Sequence, residues 1–486
     1  MPDDNLKTSV LSSLFWKSLE RGGVSGVQFI VQIILARLLL PEDYGVIALI
    51  VVFIAISQVF VQSGFGTALI QKKEVTDEDY SSVFYLSLGI ALIFYCLLFL
   101  GAPAIAAFYD QPLITPVLRV MGLTLFFGAV NTIQNAVIAR NFQFRKLFIS
   151  SLGAVLLSGV VGVVMAYAGY GVWALVGQQL TSIIALCAIM WLTVKWRPRL
   201  LFSLTRVKEL FSFGWKLLVS GLIGVTYNNL SSLIIGKLYP ASMLGYYTKG
   251  QSFPHLLMSN IDSSIQAVML PAYSQKQDNR PQIKEIMRRA LVTSSFLVFP
   301  AMAGLAAVAE PLVILLLTEK WLVAVPFLQI FCAVYALWPI HTANLQAINA
   351  LGRSDIFLKL EILKKVVGLS MLAVTIPIGI YAMALGMVVT GIISTFINAY
   401  PNRLLLEYSF IEQWRDLMPA LILSLVMCGV VYSILFLGLP VWATLILQIG
   451  VGVVVYAGLA WLVKLESLTY VVNTVKEYFP VRKGSF

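Results

Sequence analysis

Fourteen apolar stretches, each about 20 residues or longer, follow one another along this chain with almost no polar sequence between them. They fall near residues 14–38, 44–70, 82–107, 114–139, 147–168, 172–194, 211–239, 243–270, 291–317, 322–350, 357–379, 381–401, 417–438 and 440–463. Stretches of that length are long enough for a helix to cross the hydrocarbon core of a bilayer. Only 12% of the residues are charged, where a soluble domain averages about 25%. No room is left for a large soluble domain, and the whole chain reads as an all-α membrane protein. The joints are short and carry breakers, among them Pro41, Pro112, Gly169, Gly171 and Pro240.

Orientation follows from the cations between the spans. With the N-terminus inside, the inner joints collect Lys72, Lys73, Arg140, Arg145, Lys146, Lys195, Arg197, Arg199, Arg206 and Lys208 in the first half. In the second they collect Arg280, Lys284, Arg288, Arg289, Arg353, Lys359, Arg403 and Arg415. The outer side shows little beyond Arg37, Lys237 and Lys320. Both termini are therefore expected in the cytoplasm. The net charge of +11 is a topology signal with attraction to anionic membrane lipid, not a nucleic-acid surface. Met1 to Lys7 is short and polar and leads straight into the first span, as a retained helix does, with no cleavage site of a signal peptide. The four cysteines lie far apart inside spans, so no disulfide framework or metal spacing emerges.

Against this background the first span is anomalous. Lys17, Arg21, Ser25, Gln28 and Gln32 are spaced +4, +4, +3, +4, which puts all five on one helical face. About 199 residues later the register recurs as Lys216, Ser220, Gly224, Tyr227 and Ser231, with Asn228 and Asn229 beside it. The eighth span repeats the spacing with Gln251, His255, Ser259, Asp262 and Gln266. Charge at membrane depth is costly and usually lines a cavity. Arg binds phosphate bidentately, so the first stripe suits a diphosphate, with amides further along to exchange hydrogen bonds with sugar hydroxyls. The plainer reading of Lys17 and Arg21 is that both snorkel to the inner interface, paired with Glu20. Asp262 is a candidate for proton or ion coupling, as is Glu20, and His255 can titrate or be structural.

The stripe belongs to a longer repeat. Trp16-Lys17 matches Trp215-Lys216, and each lies the same distance before a proline, Pro41 and Pro240. Gln134, Arg140 and Lys146 match Gln346, Arg353 and Lys359. The expected organisation is an N-terminal lobe over 1–195, a cytoplasmic amphipathic interfacial linker over 196–210 and a second lobe over 211–404. Two further spans and an amphipathic tail fill 405–486. Six spans per half keep both halves in the same orientation, a parallel repeat.

Catalytic signatures are missing. No G-x-x-x-x-G-K-[ST] loop occurs, and no nucleophile constellation stands out. Asp77-Glu78-Asp79 reads as the cap of the third span rather than a metal site. No cofactor or metal is expected, and the chain reads as a transporter, not an enzyme.

Several strings resemble a known family. They are Ala36 to Gly45 (ARLLLPEDYG), Gly64 to Lys72 (GFGTALIQK), Ala102 to Tyr109 (APAIAAFY), Arg140 to Lys146 (RNFQFRK), Gly171 to Val176 (GVWALV), Trp196-Arg197-Pro198 and Leu244 to Tyr247 (LGYY). In order and spacing they resemble the polysaccharide exporters of the multidrug/oligosaccharidyl-lipid/polysaccharide (MOP) superfamily, in the branch of colanic-acid and teichuronic-acid exporters. The resemblance implies two six-helix lobes around a V-shaped cavity lined by spans one, two, seven and eight, and two extra helices. It implies flipping of undecaprenyl-diphosphate-linked oligosaccharide across a bacterial cell membrane by alternating access, with a polysaccharide polymerase and inner-leaflet glycosyltransferases as partners. The related drug antiporters often carry an essential acid in the first helix; here only Glu20 stands there, close to the inner end. Two other transport readings stay open at this point, an ion-coupled drug antiporter and a flippase for the peptidoglycan precursor. A membrane glycan-assembly enzyme is disfavoured by the short outer loops.

Overall fold

The computed structural model describes residues 2–274, 276 and 279–469, and every regular element among them is helical. The chain forms two compact units, residues 1–248 and 249–486, and the division falls inside one long helix.

The first unit holds α1 (Pro2–Leu38), α2 (Pro41–Gln62), α3 (Phe65–Gln71), α4 (Asp77–Phe108), α5 (Ile114–Met121), α6 (Thr124–Arg140), α7 (Phe144–Tyr167), α8 (Val172–Thr193) and α9 (Leu204–Leu238). It also holds the start of α10 (Ala241–Ser274). Local sequence sets the boundaries. α2 starts on Pro41, whose missing N–H costs nothing in a first turn, and the Asp43 carboxylate accepts from the Leu40 amide at 3.0 Å. α4 starts with a capping box, in which Thr76 accepts from the Asp79 amide and Asp79 accepts from the Thr76 amide. The acidic triplet therefore caps the helix, as its position suggests. Where α3 ends, the Arg140 guanidinium donates to the carbonyls of Leu69, Ile70, Lys72 and Lys73. Between these ends Phe65, Leu69, Val83, Phe84, Ile133 and Leu210 make a buried core.

The second unit continues with α11 (Arg280–Ala307), α12 (Ala309–Leu317), α13 (Val325–Ala336), α14 (Trp338–Ala350), α15 (Ser354–Thr375), α16 (Ile380–Leu405), α17 (Phe410–Ser433) and α18 (Val441–Leu462). One buried cluster packs Tyr273, Met287, Leu291, Phe299, Tyr408 and Leu417. A fully buried amide network sits beside it. Asn344 donates to Gln413 at 2.9 Å and accepts from Asn402 at 2.7 Å.

Eleven helices among the described residues are long and apolar enough to cross a membrane. The other three expected spans correspond to α1, α10 and α15, which carry the polar residues singled out above. Several expected spans are broken into two helices, the second at Ser63–Gly64 and the fourth at Gly122–Leu123. The tenth is broken in the same way, between α13 and α14. The ends of α6 and α14 also correspond. Each closes with a residue at positive φ, Phe142 (53°) and Gly352 (71°). Each adds a hydrogen bond from five residues on, Gln143 N to Ile138 O and Arg353 N to Ile348 O. The two turns lie 210 residues apart, whereas Arg140 and Arg353 lie 213 apart, and turns of the same kind also close α4 and α7 at Asp110 and Gly169.

The linker differs from expectation. Residues 194–203 are irregular and extended, and Leu204 to Leu210 form the first turns of α9 instead of a separate interfacial helix. Pro198 disfavours a helix around it. Ser203 then caps α9 by accepting from the Arg206 amide at 3.5 Å, and no proline follows until Pro240. The extended segment is held by α4: Ser81 and Ser82 accept from the amides of Arg199 and Ser203 at 3.0 and 2.9 Å. α9, expected to open the second lobe, packs here on α2, α3 and α4 within the first unit. Of the expected amphipathic tail, Leu465 and Leu468 rest against the cluster under α17 and α18; Val472, Val475 and Phe479 lie outside the described residues.

Candidate substrate path

α1 lies along α7. Ser151 of α7 donates to Glu20 at 3.5 Å, the Trp16 ring meets Phe148 at 5.7 Å, and Val31 sits against Gly159. With about 100° between successive residues, this contact strip has two flanks. One carries Lys17, Arg21, Ser25, Gln28 and Gln32, of which Arg21 and Gln28 are exposed. The other carries Leu19, Gly26 and Ile30, with Ile30 58% exposed. A single helix thus offers an apolar flank suited to lipid and a polar flank that lipid would reject. The five residues share a surface, as their spacing requires, but differ in their ties. Lys17 pairs with Glu20 at 3.0 Å and lies over the Phe144 ring at 5.8 Å. Arg21 forms no ion pair among the described residues.

α9 repeats the arrangement on α2. Gly214 meets the Ser63 carbonyl and Gly221 meets Val59. Lys216, Ser220, Gly224, Tyr227 and Ser231 lie to one side of this strip and Trp215 and Val219 to the other, while Ile223, seven residues on from Lys216, stands beside it; Trp215, Val219 and Ile223 are all exposed. Lys216 and Ser220 are exposed, Tyr227 and Ser231 half-buried. Asn228 is exposed, whereas Asn229 turns back to the Val225 carbonyl at 2.8 Å. Among the candidate spans, α9 is the one least buried by its neighbours.

The stripe on α10 has a different fate. Gln251 donates to the Tyr335 hydroxyl at 3.0 Å, and the His255 ring lies 5.6 Å from Tyr335 and 6.0 Å from Trp338. Asp262 accepts from the Thr342 hydroxyl and, at 2.7 Å, from Gln266. These residues are therefore largely engaged with α13 and α14 inside the second unit. Asp262 has no cation partner among the described residues; a hydroxyl and an amide donor face it instead.

Sequence reasoning overlooked Thr342, Tyr335 and Trp338, since a hydroxyl or an aromatic ring within a span carries no periodic signal of its own. It also passed over Lys249, which is 7% exposed and lies 5.8 Å from the Trp321 ring. A lysine inside an apolar stretch was the available clue. No group of three His, Cys, Asp or Glu side chains able to hold a metal occurs among the described residues.

Two solved structures place the architecture. The lipid II flippase MurJ, in an inward closed conformation, superposes with a TM-score of 0.75 at 16% identity, covering 92% of this chain and 98% of that one. An inward-facing multidrug resistance MATE family transporter of the MOP superfamily gives 0.61 at 16% identity, over 80% and 98%. The molecule is a multi-pass membrane protein with the fold of the MOP-superfamily transporters. Residues 34–326 match the polysaccharide biosynthesis protein family, and the chain belongs to that family. Its relatives include the succinoglycan biosynthesis transport protein ExoT of Rhizobium meliloti, 27% identical over 67% of this chain and 66% of that protein. The lipopolysaccharide biosynthesis protein WzxC of Escherichia coli is 23% identical over 82% and 81%. The teichuronic acid biosynthesis protein TuaB of Bacillus subtilis is 22% identical over 72% and 73%. The family is the one the residue strings resemble.

Proposed function

We propose that this protein flips a lipid-linked oligosaccharide, carried on a polyprenyl diphosphate, from the inner to the outer leaflet of a bacterial cell membrane for surface polysaccharide synthesis. The observation that carries the reading is the pair of polar stripes on α1 and α9, each set beside a helix contact. Arg21 and Lys216 are the cations for the diphosphate. A charge-assisted hydrogen bond contributes about 1.5–3 kcal/mol, enough to offset part of the phosphate's lost hydration. Ser25, Gln28, Gln32, Tyr227, Asn228 and Ser231 offer donors and acceptors to sugar hydroxyls. Alternating access would carry the headgroup past them, with the lipid tail left in the bilayer.

Both termini are placed in the cytoplasm by the cation bias. The diphosphate then meets Lys17 and Arg21, near the inner end of α1, before the glutamines. Asp262 and Glu20 are the acids available for ion coupling. Inner-leaflet glycosyltransferases would supply the substrate, and a polysaccharide polymerase would consume it.

The test is deletion of the gene followed by identification of the lipid-linked saccharide held on the inner leaflet. Accumulation of a diphosphate-linked oligosaccharide, reversed by the wild-type gene, is expected. Loss of resistance to small organic cations without any accumulation would replace this reading with a drug antiporter. Accumulation of peptidoglycan precursor alone would change the substrate.

A further inference from the structure

At one end of the first unit, where α3, α6 and α8 stop and α4 and α7 begin, lies a cavity of about 600 Å³. Arg140, Lys146 and Lys195 line it, and no carboxylate does. Arg140 is held in place by four backbone carbonyls, so its guanidinium is a fixed positive charge on the wall. Lys146 is half-buried and Lys195 exposed, and neither forms an ion pair among the described residues. Nearby, Lys72 pairs with Asp79 at 2.9 Å and Arg199 with Asp77 at 3.0 Å, while Arg197 donates to backbone carbonyls and Arg145 lies over the Trp16 ring. The cavity wall therefore gathers three cations and no carboxylate.

Two more features narrow the ligand. Gln143, which precedes α7 and lines the cavity, supplies no side-chain cap, so the first amides of a 24-residue helix add to the positive field. Tyr80 and Trp196, with ring centroids 5.6 Å apart, give the same cavity an aromatic wall. Fixed cations, amide donors and an aromatic wall at the end of a membrane bundle fit an anion that carries apolar matter with it. We propose that this cavity binds the phosphate of an anionic phospholipid headgroup from the leaflet that meets this end of the bundle. Basic pockets between helix ends recognise such headgroups by the same chemistry. The lipid would brace the extended segment 194–203 against the α6–α7 turn.

The full-length protein, purified in a zwitterionic detergent, is titrated with phosphatidylglycerol, phosphatidylcholine and soluble glycerol phosphate, and bound ligand is counted by native mass spectrometry. Phosphatidylglycerol is expected to be retained at a lipid concentration where phosphatidylcholine and glycerol phosphate are not. Lys146→Gln with Lys195→Gln should weaken its retention about tenfold or more. Lys359→Gln with Lys365→Gln, which removes two charges from α15, should leave it unchanged. An unchanged melting temperature in lipid-free detergent shows that the double variant is folded. Equal retention of the two phospholipids, or wild-type retention by the Lys146/Lys195 variant, would overturn the proposal. Retention of glycerol phosphate as strong as that of phosphatidylglycerol would overturn the lipid as the source.

Discussion

The carbonyl of Ala241 lies against Gly45 so closely that a Cβ on Gly45 would fall 1.7 Å from the oxygen. The relation is reciprocal, because a Cβ on Gly245 would fall 1.9 Å from the carbonyl oxygen of Pro41. The first turns of α2 and α10 thus cross backbone to backbone, glycine against the residue four positions before the other glycine. Each segment begins at one of the two prolines matched in the sequence, Pro41 and Pro240.

Gly45→Ala should therefore be disruptive out of proportion to its size. The obstacle is main chain and cannot swing aside as a side chain would. Overpacking of this kind costs about 1–3 kcal/mol, and a melting temperature lower by several degrees is expected. Gly22→Ala is the control, since nothing lies within 4 Å of its Cβ position; it should melt at or above the wild type. Equal melting of Gly45→Ala and wild type would show that α2 and α10 do not cross in this way.

Arg21→Ala should reduce surface glycan, and Arg21→Ala with Lys216→Ala should abolish it while the protein still reaches the membrane. Arg21→Lys should be intermediate, because lysine keeps the charge but loses the bidentate fork. Immunoblots of membranes beside glycan staining separate export from expression. Full export by the double variant would remove the polar flanks of α1 and α9 from the path.

Asp262 separates a structural acid from a working one. Asp262→Asn keeps an acceptor for Thr342 and should melt within about 1 kcal/mol of wild type, yet export should fall if the carboxylate charge takes part in the cycle. Asp262→Ala orphans the Thr342 hydroxyl and should cost about 1–3 kcal/mol in stability as well. Export retained by the Asn variant would make Asp262 a structural hydrogen-bond acceptor only.

Asn344→Leu should be among the more destabilising single changes in the second unit. It strips partners from Gln413 and Asn402, all three being buried. Each orphaned amide costs about 1–3 kcal/mol. Asn349→Leu, at an exposed position of the same helix, should change the melting temperature little. Equal effects of the two would contradict the network.

The periodic part of the site was legible in the sequence because periodicity is a local property. Spacings of three and four residues put Lys17 to Gln32 on one face whatever surrounds α1. Partners were not legible. Glu20 and Lys17 are neighbours in sequence, and their pairing was foreseen; Asp262 and Thr342 are 80 residues apart, and no spacing rule joins them. The same applies to the buried amides. In the first unit the Asn131 carbonyl and both Gln134 amide atoms lack partners among the described residues. Asn344 makes hydrogen bonds between helices in the second unit.

By itself the sequence determined that the chain is a helical membrane protein, where its apolar stretches run and which helices carry a polar face. Those properties follow from hydropathy and from the pitch of a helix, both set within a few turns. Only the tertiary structure decided what each face meets. It placed the polar residues of α1 and α9 on open flanks, engaged those of α10 with α13 and α14, and made Leu204 to Leu210 the start of α9. It also brought Gly45 onto Ala241. Such outcomes depend on contacts between residues tens to hundreds of positions apart, where shape and packing select the partner and local pattern holds no information.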